Sequence, residues 1–354
     1  MKTWDVIVIG GGIIGLSLAL ALRKRGANVL IVERGEPGRE ASHAAAGMLA
    51  DCSLEVPAPL HPLAAASAGM YPEFVHELHD ESGVDVDLRD QGTLLFLDHA
   101  HAGSEFAPVS PARLDEMEPT LNVPECSVIH LKERSVDPRA LVTAAIKAVR
   151  HREADISSGA AVKEVLFSGE RAIGVRTGRT SYHAPVVVNC GGAWAGQVPP
   201  LHFPTRPVKG QMLAVVGGPK LRHVIRSSEV YLVPRSEGRI VIGATVEEAG
   251  YDKRIEADPI QRLHQAAIRI VPSLAHGRML EAWAGLRPGT PDDLPILGAT
   301  QTPGYFVAAG HFRDGILLAP ITAHLMTQIV MGEPPDHDLS AFSPKRFSNP
   351  AAAV

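Results

Sequence analysis

Cysteine is scarce in this chain of 354 residues: Cys52, Cys126 and Cys190 are the only three, and no two share a C-x-x-C spacing. An odd, sparse set argues against a disulfide framework and fits a reducing compartment. A basic excess is also missing. Lys and Arg number 34 against 39 Asp and Glu, a formal charge of −5 with the signs well mixed. That leaves no footprint for nucleic acid or a polybasic membrane contact. His76 and His79 in HELHDE lack the i, i+4 spacing of a helical zinc pair and read as a solvated helix face, so no metal is expected. Internal repeats are absent. Only a Pro/Ala-rich patch at 56–66 and a tail ending PAAAV, expected to fray, depart from ordinary composition. Just one long apolar run exists, Val6 to Leu22. It is shorter than the roughly 20 residues of a bilayer-spanning helix. It contains a glycine triplet and follows Asp5, where an export signal would carry positive charge. The expectation is a cytoplasmic protein with no membrane contact.

What occupies that run is strand, turn, helix, strand. VIVI (Val6 to Ile9) suits a buried parallel strand. Gly10, Gly12 and Gly15 fit G-x-G-x-x-G, and Ile14, Leu18 and Leu22 recur every four residues as one helix face. Gly26 closes that helix, and NVLIVE leads to Glu33. Gly10 would permit the tight turn, Gly12 the approach of a pyrophosphate, and Gly15 close packing of helix on strand. The helix N-terminus offers N–H groups and positive dipole to phosphate. Glu33 stands where an acid would accept hydrogen bonds from ribose hydroxyls. A dinucleotide site follows from the whole unit rather than from the glycines alone.

The length admits two domains. REASHAAAGML (Arg39 to Leu49) is small and polar, then Ala-rich; it can follow a cofactor surface, and Ser42 can cap a helix start. Met70 to Ser82 reads as helix, Gly92 to His99 as strand, and Pro138 to Arg152 as helix with proline at its start and basic residues at its end. The segment from Ala160 reads as strand, turn, strand, turn, then a buried VVVN strand running into Gly191 and Gly192. From Pro207 to Leu286 the chain is β-rich, with a helix from about Pro259 to Ile270. It then returns through the strand FVAA, the loop GHFRDG and the helix ILLAPITAHLMTQIV. The fold class expected is α/β: a discontinuous cofactor domain from residues 1–80, 135–205 and 290–354, and a mixed α+β substrate domain from 81–134 and 206–289.

VIGGGIIG, SHAAAGML, YLVPR, GRIVIGAT, WAGLRPGT and GHFRDGILLAP, in this order, resemble the FAD-dependent D-amino-acid oxidase family, and within it the glycine oxidase branch of the ThiO type. The likeness runs from Asp5 to about Glu333. It implies a glutathione-reductase-like FAD-binding Rossmann domain, non-covalent FAD rather than NAD, a small amino-acid substrate with O2, and a homo-oligomer. It also implies that FAD's adenosine lies against Ile13, Ile14, Glu33 and Arg34, with backbone near Val162 on the adenine. Phosphates and flavin would meet Ala41, Ser42, Ala46, Gly47 and Met48. The flavin pyrimidine end would be held by the loop His311, Phe312, Arg313, Asp314, Gly315, Ile316 and Leu317, whose following helix favours negative charge there.

The same resemblance places the substrate carboxylate on Arg287 of GLRPGT, with the Tyr231 hydroxyl beside it and Arg313 at the flavin edge. A planar guanidinium fork suits a two-oxygen partner. Two positions depart from the branch. Val246 stands where a methionine lines the space for the substrate side chain, and Glu229 where a histidine stands. Both widen the expected substrates from glycine to small D-amino acids. No cysteine follows Cys190, so covalent flavin through a C-terminal cysteine is not expected. The implied reaction is oxidative deamination to a 2-oxo acid, ammonia and hydrogen peroxide, with the imine available to thiazole synthesis for thiamine. The alternative is a flavin dehydrogenase that passes electrons to a quinone; a flavin-dependent tRNA modifier would want a basic surface that is missing here.

Overall fold

The computed structural model describes residues 3–52, 56–97, 107–123 and 126–347. The PAAAV tail and the last two positions of the strand expected at 92–99 lie outside the described residues. One sheet has six strands, in the order Ile296–Ala299, Tyr305–Ala309, Val186–Asn189, Val6–Ile9, Val29–Val32, Asp155–Ser157. All neighbours are parallel except Ile296–Ala299, which runs antiparallel to Tyr305–Ala309. Val6–Ile9 is central and buried on both faces, so its sequence is a continuous β-branched run instead of an alternating one. Val6 and Val8 pack into a core with Leu16, Tyr71, Leu141 and Leu325 from helices Ile13–Lys24, His61–Ser82, Pro138–His151 and Ala319–Val330. Ile7 and Ile9 pack to the other side with Val165, Val175 and Phe203, under the antiparallel strands Val162–Ser168, Arg171–Thr177 and Ser181–His183.

The helix ends follow local chemistry. Gly26 takes φ +84° just past Ile13–Lys24. The Asp137 carboxylate accepts from Arg139 N at 2.8 Å and caps Pro138–His151, whose last turn holds Arg150 and His151.

The second sheet has seven strands, in the order Arg278–Gly289, Arg206–Val216, Ile240–Gly243, Tyr231–Pro234, Val224–Arg226, Thr93–Leu97, Ser127–Leu131. Its strands alternate cleanly. Leu213, Ile225, Leu232 and Ile242 pack against Leu263 and Ala267 of the helix Ala257–Ile270. Met212, Val224, Tyr231, Val233 and Val241 cluster on the other face with Ala46 and Trp283. That second face looks toward the six-stranded half, and the cavity described below opens there.

Three expectations are corrected. The helix expected from Met70 begins nine residues earlier: Ala58–Leu60 is a 3-10 turn and helix His61–Ser82 starts directly after it, with proline at its start. Ser42 caps no helix of its own; it lies within the short helix Ala41–Ala44. The C-terminal helix begins at Ala319 rather than Ile316, because Leu318 N first closes a turn onto Asp314 O at 2.8 Å. Among the described residues no helix is long and apolar enough to cross a membrane.

Candidate active site

The glycine turn is a locked pair. Gly10 has φ +102°, and a Cβ on Gly15 would stand 2.1 Å from the Gly10 carbonyl oxygen. Gly15 therefore does not face the cavity; it seats the helix on the turn. In front of them opens a cavity of about 680 Å³ lined from both sheets. Its walls include Gly10, Gly12, Ile13, Ile14, Glu33, Arg34, Ala41, Ser42, Ala46, Gly47, Met48, Val162 and Gly191, and also His311 to Ile316. Leu317, like Gly15, is an expected residue that does not line it. It is buried in the helical core, and its carbonyl accepts from Ser67 Oγ at 2.6 Å.

One cluster in this cavity is built around the second strand's end. Glu33 is buried, and its carboxylate accepts from Gly11 N at 2.7 Å and Gly35 N at 2.8 Å. The acid thus braces the glycine turn while still lining the cavity. Ser42 Oγ accepts from Ile13 N at 3.0 Å, so this hydroxyl serves the first helix's N-terminus across a sequence gap of 29 residues. Arg34 lies over the Trp194 ring at 3.4 Å and donates to Glu40 at 2.7 Å. Trp194 in turn stacks with Tyr251, whose hydroxyl donates to Ala193 O at 2.9 Å.

A second cluster gathers Arg287, Tyr231 and Arg313. Arg287 projects from the strand Arg278–Gly289, and its Nη1 donates to Thr245 O at 3.1 Å and Lys209 O at 3.4 Å. Burial pushes the Tyr231 hydroxyl's pKa up, while a hydrogen bond from Arg287 and the charges of Arg287 and Arg313 oppose that rise. The three side chains therefore converge, two cations around one phenol, on the wall of the same cavity. His311 is buried, its Nε2 lies 3.1 Å from Thr322 Oγ1, and burial pushes its pKa down to about 3, so it is neutral near pH 7. Val246 lines the cavity but is 57 % exposed, which places it at the rim rather than in the interior. Glu229 also reaches the rim, where it pairs with Arg269.

Several lining residues escaped the reading of the sequence. Tyr231's hydroxyl lies 3.6 Å from Met212 Sδ. Gly210 faces Arg287 so closely that a side chain there would meet the guanidinium. Arg226 also lines the cavity, paired with a buried carboxylate. The signal for Arg226 was present in IRSSEVYLVPR, where two short β-rich runs flank a four-residue loop. Such a hairpin sets its first strand's last residue opposite Tyr231.

Residues 5–329 match the family described as FAD dependent oxidoreductase. A bifunctional protein ThiO/ThiG of Synechocystis sp. is 35 % identical over 98 % of this chain, which spans about half (54 %) of that relative's length. A glycine oxidase of Bacillus licheniformis is 33 % identical over 94 % of both chains. The crystal structure of glycine oxidase from Geobacillus kaustophilus superposes with a TM-score of 0.92 at 30 % identity, covering 98 % of this chain and 99 % of the other. A strand–glycine turn–helix unit opening on a cavity, matched along nearly the whole chain, makes this protein a member of the FAD-dependent oxidoreductase family.

Proposed function

We propose that this protein is an FAD-dependent amino-acid oxidase that deaminates glycine and small D-amino acids to the 2-oxo acid, ammonia and hydrogen peroxide. The observation that carries this reading is the convergence of Arg287 and Tyr231 in the cavity that the glycine turn also lines. The cavity suits FAD by its chemistry. It has a helix N-terminus and glycine turn for the pyrophosphate and an acid at Glu33 beside the second strand. A run of small residues, Ala44 to Gly47, lets a flat ring approach the backbone. We assign the six-stranded half to the cofactor and the seven-stranded half to the substrate, with residues 1–80, 135–205 and 290–354 in the first and 81–134 and 206–289 in the second.

Arg287 holds the substrate carboxylate through its planar fork, and Tyr231 adds a hydroxyl to the same group. Arg313 adds positive charge at this end. Bound FAD supplies the acceptor for the hydride of the Cα–H bond. The work of the protein is orientation: a substrate fixed by its carboxylate presents one face and one bond. No side chain is assigned as a base, because the amine enters unprotonated. His311, kept neutral by burial, adds no cationic charge at the pyrimidine end. The glycine oxidases and the ThiO/ThiG protein among the relatives support the substrate class, and the latter supports use of the imine in thiazole synthesis for thiamine.

The test is peroxide release from glycine, sarcosine, D-alanine, D-proline and L-alanine with purified protein. Peroxide from glycine and D-alanine, and none from L-alanine, is expected. Turnover with a quinone and none with oxygen would make it a dehydrogenase instead; equal rates on L- and D-alanine would overturn the assignment.

A further inference from the structure

Beside the strand Arg206–Val216 a side chain takes the place of a backbone carbonyl, and the carbonyl it displaces holds Arg287. This strand pairs with Ile240–Gly243 in a register that sets Met212 opposite Gly243. Past Gly243 the pairing resumes with Lys209 opposite Glu247. Gly210 and Gln211 thus face three residues, Ala244, Thr245 and Val246, which is the count of a bulge. At Lys209 and Glu247 both bonds of an antiparallel pair are made: each backbone N donates to the other's carbonyl at 2.9 Å. Two residues on, the same pattern calls for an exchange between Gln211 and Thr245. Thr245 N does donate to Gln211 O, at 3.2 Å. The return bond takes another acceptor: Gln211 N donates to Thr245 Oγ1 at 2.8 Å. The Thr245 carbonyl instead accepts from Arg287 Nη1 at 3.1 Å.

The hydroxyl is aimed from behind. Thr245 Oγ1 donates to Glu247 Oε1, which also accepts from Gln211 Nε2 at 2.9 Å. Glu247 Oε2 pairs with the buried Lys209 Nζ at 3.2 Å. A hydroxyl has one proton and two lone pairs. With the proton committed to the carboxylate, a lone pair is what meets Gln211 N. None of these side chains touches the main cavity. Ala244 and Val246 line it, whereas Thr245 faces a shallow groove with Pro259 and Leu263 on the other side.

We infer that Thr245 is a positioning residue for the carboxylate clamp: its hydroxyl stands in for its own carbonyl beside the strand and so releases that carbonyl to Arg287. The inference rests on the reading of Arg287 as the holder of the substrate carboxylate. Gln211 is fully buried, and a buried N–H is costly to leave unpaired. Without the hydroxyl, Gln211 N would draw the Thr245 carbonyl into the ordinary antiparallel bond. Arg287 Nη1 would then keep only its longer contact, 3.4 Å to Lys209 O.

Two measurements on the holoenzyme test it. The first titrates acetate and reads Kd from the flavin absorbance, with FAD content and thermal midpoint taken on the same samples. Thr245→Val and Thr245→Ala lack the hydroxyl and should raise the acetate Kd by about tenfold, whereas Thr245→Ser keeps it and should stay within about twofold of wild type. A hydroxyl that only stabilised the fold would separate these variants in midpoint and leave the Kd unmoved. The titration needs no turnover, so it reads the inference even if glycine is not oxidised. The second follows reduction of the flavin by glycine without oxygen. Thr245→Val should slow it about tenfold in the wild-type background and leave it unchanged where Arg287 is already alanine, because the effect passes through the guanidinium. An unmoved acetate Kd in Thr245→Val and Thr245→Ala overturns the inference, as does a serine variant as weak as valine or an equal slowing in both backgrounds. The clamp is judged separately. Arg287→Ala reduced as fast as wild type removes the clamp and the role of Thr245 with it; a slow Arg287→Ala beside a normal Thr245→Val removes the role of Thr245 alone.

Discussion

Gly210→Ala isolates the position of Arg287 from its presence. Gly210 lies in the strand Arg206–Val216 opposite Gly285. A Cβ there would stand 2.4 Å from Arg287 Nη1, 2.5 Å from Nη2 and 2.6 Å from Cζ, where ordinary contact begins at 3.4 Å. The backbone conformation of this strand residue suits alanine, and Gly→Ala at such a site stabilises a chain by about 0.4–1 kcal/mol through the unfolded state. The clash is with the tip of a flexible side chain, so the tip yields and the fold does not. The difference between 2.4 and 3.4 Å requires the guanidinium to retreat by about 1 Å, away from its bond to Thr245 O at 3.1 Å. A misplacement of this size costs on the order of 100-fold in rate, equivalent to about 2.7 kcal/mol of transition-state stabilisation. The assay is kcat/KM for glycine by peroxide release, with FAD content and thermal midpoint measured on the same sample. We expect a fall of about 100-fold with full FAD content and an unchanged or slightly raised midpoint. Near-normal kcat/KM would refute the placement of the carboxylate on Arg287. Loss of FAD or of the fold would refute the claim that only the guanidinium moves.

Further outcomes follow from other parts of the site. Arg287→Ala should retain the flavin spectrum and lose roughly one and a half to four decades of kcat/KM, the range for removing one partner of a desolvated charge pair at about 2–5 kcal/mol; normal turnover of glycine and D-alanine would place the carboxylate elsewhere. Acid precipitation of the yellow protein should leave FAD in the supernatant, since no cysteine follows Cys190; colour in the pellet would show a covalent link. Val246→Met should shift the glycine to D-proline ratio toward glycine by less than about tenfold, because a residue 57 % exposed at the rim shapes the cavity only in part; an unchanged ratio would remove the position from the pocket. His311 titrates at about 3 when folded against an ordinary 6.5, so the unfolded chain binds the extra proton between those values. Stability should therefore fall as pH drops below 6.5, by up to about 1.4 kcal/mol per pH unit from this group alone. Urea midpoints at pH 7 and pH 5 should converge for His311→Asn relative to wild type, and parallel pH profiles would show that His311 is not the group.

The parts of the fold legible in the sequence are those set by local periodicity. Val6 to Ile9, with four β-branched residues and no alternation, could only be a strand covered on both faces, and both faces are indeed packed. The cap at Asp137 and the left-handed Gly26 lie within one turn of the helices they close, so their chemistry could be read in a short window. The helix expected from Met70 starts at His61, and the run before Met70 concealed it, although proline in the first turn costs a helix nothing. Ser42 misled for a different reason. Its type was right for capping, but the N–H it satisfies belongs to Ile13. Contacts of that kind depend on which strands become neighbours, and the order of a sheet is not written in any window of the chain. Arg226 shows where the boundary falls. Its place opposite Tyr231 follows from a four-residue loop and was within reach of the sequence. The reason it can sit there, a buried Glu133 some ninety residues earlier, needs the parallel pairing of Val224–Arg226 with Thr93–Leu97 and that strand's pairing with Ser127–Leu131. A buried charge is therefore legible as an anomaly before its partner is, and an arginine closing an apolar strand opposite a proposed substrate residue is such an anomaly.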